Sequence, residues 1–118
     1  LGASRAPKLS APVTVPDCTV VSLHLGEFTR QGPALRGTNC NMGRSVVLAA
    51  GKLRILVNSH SCYQGDVQFY RGFGIEPTLC ALVQVKACTS LRAGYEPISK
   101  ELCNTATRSL IAIGVVIS

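Results

Sequence analysis

Apolar and polar positions change period several times along this chain, and each change marks an element. Cys18 to Phe28 is rich in β-branched residues and predicts a strand. From Val21 its sides alternate, with Val21, Leu23 and Leu25 on one and Ser22 and His24 on the other. Gln31-Gly-Pro and Arg36-Gly-Thr-Asn then punctuate a loop. Met42 to Ala50 predicts a second strand and Leu53 to Asn58 a third. Between them Gly51-Lys52 is a two-residue connection of the Gly-X kind, the clearest hairpin signal in the chain. Ser59 to Gly65 is polar and loop-like.

Asp66 is placed to cap a short helix over Val67 to Gly72, because its carboxylate can accept from the free amides of the first turn. Phe69, Tyr70 and Phe73 then share one helical face, and Gly74 and Pro77 end the helix. Cys80 to Ala87 is almost wholly apolar, the pattern of a central strand buried on both faces. Thr89 or Ser90 can start a second helix running to about Glu101, with Pro97 imposing a kink or a stop near Glu96. Ser109 to Ser118 predicts a last strand, with Gly114 marking a bulge. The sum is an α+β domain with a mixed or antiparallel sheet of about five strands and two short helices. Pro7, Pro12 and Pro16 make residues 1–16 an extended lead-in or linker, leaving 17–118 as a single domain.

Composition narrows the classes. At 118 residues, 47% hydrophobic and 15% charged, the chain can build a core and is not a disordered tail. Its longest apolar run, Leu110 to Ile117, is far below the ~20 residues that span a bilayer. No continuous apolar segment near the start resembles a secretory signal, so a cytoplasmic location is expected. The first residue is Leu rather than Met, which suggests a piece of something longer. The six cysteines allow a disulfide framework, but with no signal and no Asn-x-Ser/Thr sequon, reduced and mostly buried thiols are the expectation.

Chemistry-bearing residues are sparse. The six acids are scattered, and none pairs on a helix face in the way two-carboxylate catalysis needs. His24 and His60 lack a third ligand at zinc spacing, and no Cys-x-x-Cys exists, so no metal site is expected in this chain. His60 and Cys62, two residues apart in a loop, are poorly placed for a Cys–His nucleophile. The formal charge of +6 invites a nucleic-acid reading. Arg71-Gly72-Phe73-Gly74 matches half of an RNA-recognition signature, but Ile75-Glu76-Pro77 breaks the strand that signature requires. A free-standing basic module for nucleic acid or an acidic partner is therefore the alternative reading, with nucleic acid itself disfavoured.

The middle of the chain carries a resemblance. It runs through Gly32-Pro33-Ala34-Leu35, Asn41 to Leu48, Val57-Asn58-Ser59 and Asp66 to Phe69. Its most specific parts are Tyr70-Arg71-x-x-Gly74-Ile75-Glu76-Pro77 and Lys86 followed by Arg92-Ala93-Gly94-Tyr95-Glu96-Pro97. Over about residues 20–101 this order and spacing resembles the C-terminal domain of the microcystinase C (MlrC) family, bacterial zinc metallopeptidase-like proteins. The resemblance implies that zinc and its ligands belong to a larger N-terminal catalytic domain, the expected partner. A peptide substrate and a second copy of the chain are further possible partners. The chain itself would be non-catalytic and would help shape the substrate cleft. Lys86 and Arg92 are the candidate substrate-binding residues, since both match the family pattern and could receive an anionic group. The same pattern has Ser and His where this chain has Ala87 and Ser90, and relatives tend to carry Arg near His60. Arg92 and Glu96, four apart, can equally pair with each other.

Overall fold

A computed structural model describes residues 13–60, 64–85 and 91–102, together with the backbone of 113–117. The elements run β1 (Thr19–His24), β2 (Glu27–Thr29), β3 (Asn39–Asn41), β4 (Ser45–Ala50), β5 (Leu53–Asn58), α1 (Gln68–Arg71), a 3-10 turn (Pro77–Leu79), β6 (Leu82–Gln84), α2 (Arg92–Tyr95), a second 3-10 turn (Glu96–Ile98) and β7 (Ile113–Ile117). Five strands form one sheet in the order β1-β4-β5-β7-β6, and β2 with β3 forms a separate ribbon. Every described pairing is antiparallel. The molecule is an α+β domain with short helices packed on one face of its sheet.

The β4–β5 hairpin forms as the pattern predicts. Ala50 pairs with Leu53 across Gly51-Lys52, and Gly51 takes φ +59°, the left-handed conformation such a turn demands. The first predicted strand is instead two. At Gly26 the chain takes φ +77°, and a Cβ there would lie 2.0 Å from the Gly43 carbonyl oxygen. Only glycine permits that turn and that approach, so the strand breaks and β2 pairs with β3 instead of continuing the sheet. Met42, expected to open the next strand, sits between β3 and β4, with its amide bonded to the Gly26 carbonyl at 2.8 Å.

The run from Cys80 is not a central strand. β6 is only Leu82–Gln84 and lies at the sheet edge, with Leu82 exposed. The centre is taken by β7, which comes from the end of the chain and inserts between β5 and β6. Its register with β5 runs unbroken from Leu53↔Ile117 to Val57↔Ile113, so Gly114 makes no bulge on that side. The irregularity lies in β1, between Val20 and Ser22.

The core forms on the sheet face that carries Val47 and Leu56, where Phe69, Tyr70, Phe73, Ile75 and Tyr95 pack with Phe28, Cys40 and Met42. The predicted aromatic face of α1 is therefore the centre of the core. In β1 the Ser22/His24 side points toward it: His24 hydrogen-bonds Ser22 through Nε2 at 2.8 Å and meets Phe73 edge-on, ring centres 5.0 Å apart. The apolar side of β1 is the outer one, with Leu23 and Leu25 more than three-quarters exposed.

Candidate functional site

The residues that carry the family-like pattern converge on one buried carboxylate. Asp66 is 2% exposed. Its Oδ1 accepts the Gln68 amide at 2.9 Å, so Asp66 ties down the first amide of α1 as expected, from one residue before Val67, which occupies the N-cap position. Its Oδ2 accepts two further amides, from Gln31 at 3.1 Å and Gly32 at 2.8 Å. Its backbone carbonyl accepts from the Phe69 amide at 3.0 Å and from the Tyr95 hydroxyl at 3.2 Å. Gly94 packs so closely here that a Cβ would lie 2.3 Å from the Gly65 carbonyl oxygen. Gly32-Pro33, Asp66 and Gly94-Tyr95 thus form one corner, although more than sixty residues separate the first from the last.

The second family-like segment is a clasp. Arg71 grips Glu76 with two bonds, Nε to Oε2 at 2.8 Å and Nη2 to Oε1 at 3.0 Å. Glu76 also accepts from the Thr78 hydroxyl at 2.8 Å and the Thr78 amide at 3.3 Å, holding the 3-10 turn that starts at Pro77. Gly74, at φ +82°, reverses the chain between them. Hydrogen bonds from Arg71 and Thr78 pull the Glu76 carboxyl down from its usual 4.5 to about 2. The Tyr70 hydroxyl donates to the Gln84 carbonyl and ties the clasp to β6. Phe73 is buried, so the Arg71-Gly72-Phe73-Gly74 segment offers no ring for a base to stack on.

Of the two candidate substrate-binding residues, Lys86 lies outside the described residues. It follows the edge strand β6 rather than a central one. Arg92 opens α2, and its guanidinium sits 3.7 Å from Glu96, both side chains exposed. α2 is four residues long and goes directly into the 3-10 turn at Pro97, so the predicted helix to Glu101 stops where that proline requires. A helix that short has little dipole to offer an anion, which removes the helix-end argument and leaves the two side-chain charges.

Among the described residues no group of three or more His, Cys, Asp and Glu side chains converges in a way that could hold a metal ion. Cys18, Cys40 and Cys80 are free thiols; Cys62, Cys88 and Cys103 lie outside the described residues, and with them the His60–Cys62 pair. The Cys40 thiol accepts from Arg30 Nε at 3.0 Å beneath an open hollow of about 430 Å³ along the β2–β3 ribbon. Burial raises the Cys80 thiol above its usual value. No helix among the described residues is long and apolar enough to cross a membrane.

Against known families, the model described as MlrC C-terminus matches residues 1–113. The chain belongs to the MlrC C-terminal domain family. The match extends the residue-level resemblance of about 20–101 in both directions. No curated protein and no solved structure matches the chain. Within this MlrC C-terminal domain the most recognisable segments are those that build the Asp66 corner and the Arg71–Glu76 clasp, so their residue types are accounted for by folding.

Proposed function

We propose that this chain is the non-metal-binding C-terminal domain of a bacterial, cytoplasmic MlrC-like zinc metallopeptidase. In this reading it packs beside an N-terminal catalytic domain, helps shape the substrate cleft, and is not itself a hydrolase. The observation that carries the reading is the family match over residues 1–113. The division of labour is what the family resemblance implies. The described residues do not fit zinc, because no three His, Cys, Asp or Glu side chains meet. In this reading zinc and its ligands belong to the preceding domain.

What this chain contributes is a rigid wall and two positive charges. The Asp66 corner and the Arg71–Glu76 clasp fix the loops that surround the helices. Lys86 and Arg92 are proposed as the groups that meet the substrate, most simply a carboxylate of a peptide. The test is Lys86→Ala and Arg92→Ala in the complete natural polypeptide, assayed for peptide hydrolysis. A raised KM with unchanged kcat and unchanged unfolding midpoint supports substrate binding. Unchanged kinetics for both variants would remove them from the cleft.

A further inference from the structure

The loop that joins β2 to β3 is held more firmly than a connection between two short strands requires. Its amides at Gln31 and Gly32 are bound by the buried Asp66 carboxylate. Its ends are tied by the Arg30 amide to the Thr38 carbonyl at 3.0 Å and by the Gly37 amide to the Arg30 carbonyl at 2.9 Å. Between these ties Leu35 takes φ +54°, which is strained for a bulky side chain, and that side chain is 66% exposed, so no burial offsets the strain. The Thr38 amide and hydroxyl both bond the Leu35 carbonyl, at 3.2 and 2.7 Å, and keep the residue in this conformation.

What the strained turn sets is the next residue. Arg36 folds back and donates Nε to the Gln31 carbonyl at 3.1 Å. Its guanidinium is thus fixed against the same residue whose amide Asp66 holds, with Nη1 and Nη2 left for a further acceptor. Among the described residues it has no carboxylate partner.

Asp66 anchors a second arginine from its other side. Its backbone carbonyl accepts the Tyr95 hydroxyl, and Gly94 packs against the Gly65 carbonyl, so α2 is docked on this corner with Arg92 at its opening. The charged group beside Arg92 is Glu96, at a long 3.7 Å and in solvent. The Asp66 carboxylate is itself engaged by three amides. Arg36 and Arg92, far apart in the chain, are therefore both positioned through one buried residue.

We propose that Arg36 acts with Arg92 to receive one oxyanion, the substrate carboxylate of the reading above, on which this inference rests. A guanidinium presents paired donors in a fixed plane, which matches the two oxygens of a carboxylate. Arg36 spends Nε on orientation and keeps its terminal donors for the ligand. A lysine in its place has no such division of donors.

The test uses the complete natural polypeptide, with Arg44→Ala, at an exposed arginine just before β4, as the control for lost charge. Inorganic phosphate is the probe, followed through the arginine Nε–H NMR signals. It is expected to move the Arg36 and Arg92 signals with one shared dissociation constant. Arg92→Ala should weaken the response at Arg36 about tenfold, and Arg36→Ala the response at Arg92 equally, because each removes half of a shared site. Arg36→Lys should restore only part of the affinity, and the control should leave it unchanged. Unequal dissociation constants at the two arginines, or shifts no larger than that of Arg44, overturn the proposal.

Peptide hydrolysis separates this inference from the reading beneath it. Arg36→Ala is expected to raise KM with kcat unchanged for peptides that carry a carboxylate, and to leave KM unchanged for their amidated counterparts. An equal rise for both overturns the assignment of the carboxylate. If the wild type hydrolyses no peptide, the peptidase reading falls, and the phosphate titration still decides whether the two arginines share an anion.

Discussion

Asp66 holds Gly32 across 34 residues of chain, its Oδ2 accepting the Gly32 amide at 2.8 Å, while the other carboxylate oxygen caps α1. Both oxygens are therefore committed as acceptors. Asn at this position replaces one oxygen with an NH2 group that cannot accept, so it leaves at least one part-buried amide facing a donor. Asp66→Asn is expected to destabilise the domain by about 2 kcal/mol and Asp66→Ala by about 3 kcal/mol, because hydrogen bonds to a charged group are among the stronger ones and three of them meet on this one buried carboxylate. Urea unfolding midpoints check this; a shift worth less than about 0.5 kcal/mol for Asp66→Asn would show that the corner does not depend on the carboxylate.

Gly94 gives a test in which two effects have opposite sign. It lies inside α2, where Ala is normally preferred to Gly by about 1 kcal/mol. Its Cβ would fall 2.3 Å from the backbone oxygen of Gly65, which is not the end of a flexible side chain and cannot swing away. Gly94→Ala is therefore expected to destabilise by about 1–3 kcal/mol, the usual range for overpacking. A stabilised variant, read by thermal or urea unfolding, would mean that α2 and the Gly65 segment are not packed together as described.

Much of the architecture is legible from local pattern, and what is not has a common cause. Gly51-Lys52 announces its hairpin, Asp66 announces α1, and the spacing of Phe69, Tyr70 and Phe73 announces the core, since each signal is contained within a few residues. The apolar run from Cys80 reads as a central strand because periodicity reports burial, not position in a sheet. Only the insertion of β7 between β5 and β6, a pairing between distant parts of the chain, puts β6 at the edge. The break at Gly26 depends on the approach of Gly43, seventeen residues on. The candidate site divides in the same way. Asp66 is visible as a cap, but its grip on Gln31 and Gly32 is not, and Arg71 with Glu76 reads as a motif before it reads as a clasp.

Glu76 predicts a pH dependence. Its carboxyl titrates at about 2 in the folded chain against the usual 4.5, because Arg71 and Thr78 bond its charged form. A depressed carboxylate contributes stability that is complete above 4.5 and is lost as pH falls from 4.5 through 2. The pair is more than a third exposed at Glu76, so solvent screening keeps the contribution to about 1 kcal/mol or less. Glu76→Gln is expected to lower stability slightly at pH 7 and to flatten the stability profile between pH 4.5 and pH 2, as followed by urea midpoints. A variant that retains the wild-type slope would place the acid sensitivity elsewhere.

Arg92→Ala should leave folding almost untouched. The Arg92–Glu96 contact is long at 3.7 Å, solvent-exposed, and confined to one turn of a four-residue helix. Pairs of this kind contribute about 0.3–0.5 kcal/mol, and salt screens them further. The unfolding midpoint of Arg92→Ala is therefore expected to stay within about 0.5 kcal/mol of wild type, a difference that shrinks in high salt. This makes Arg92 a clean probe where Asp66 and Gly94 are not, since substitutions at those two act through the fold. A loss above about 1 kcal/mol would reveal a structural role for the guanidinium that the Glu96 contact does not account for. A neutral result would leave any kinetic effect of the same substitution in the complete protein attributable to contact with substrate.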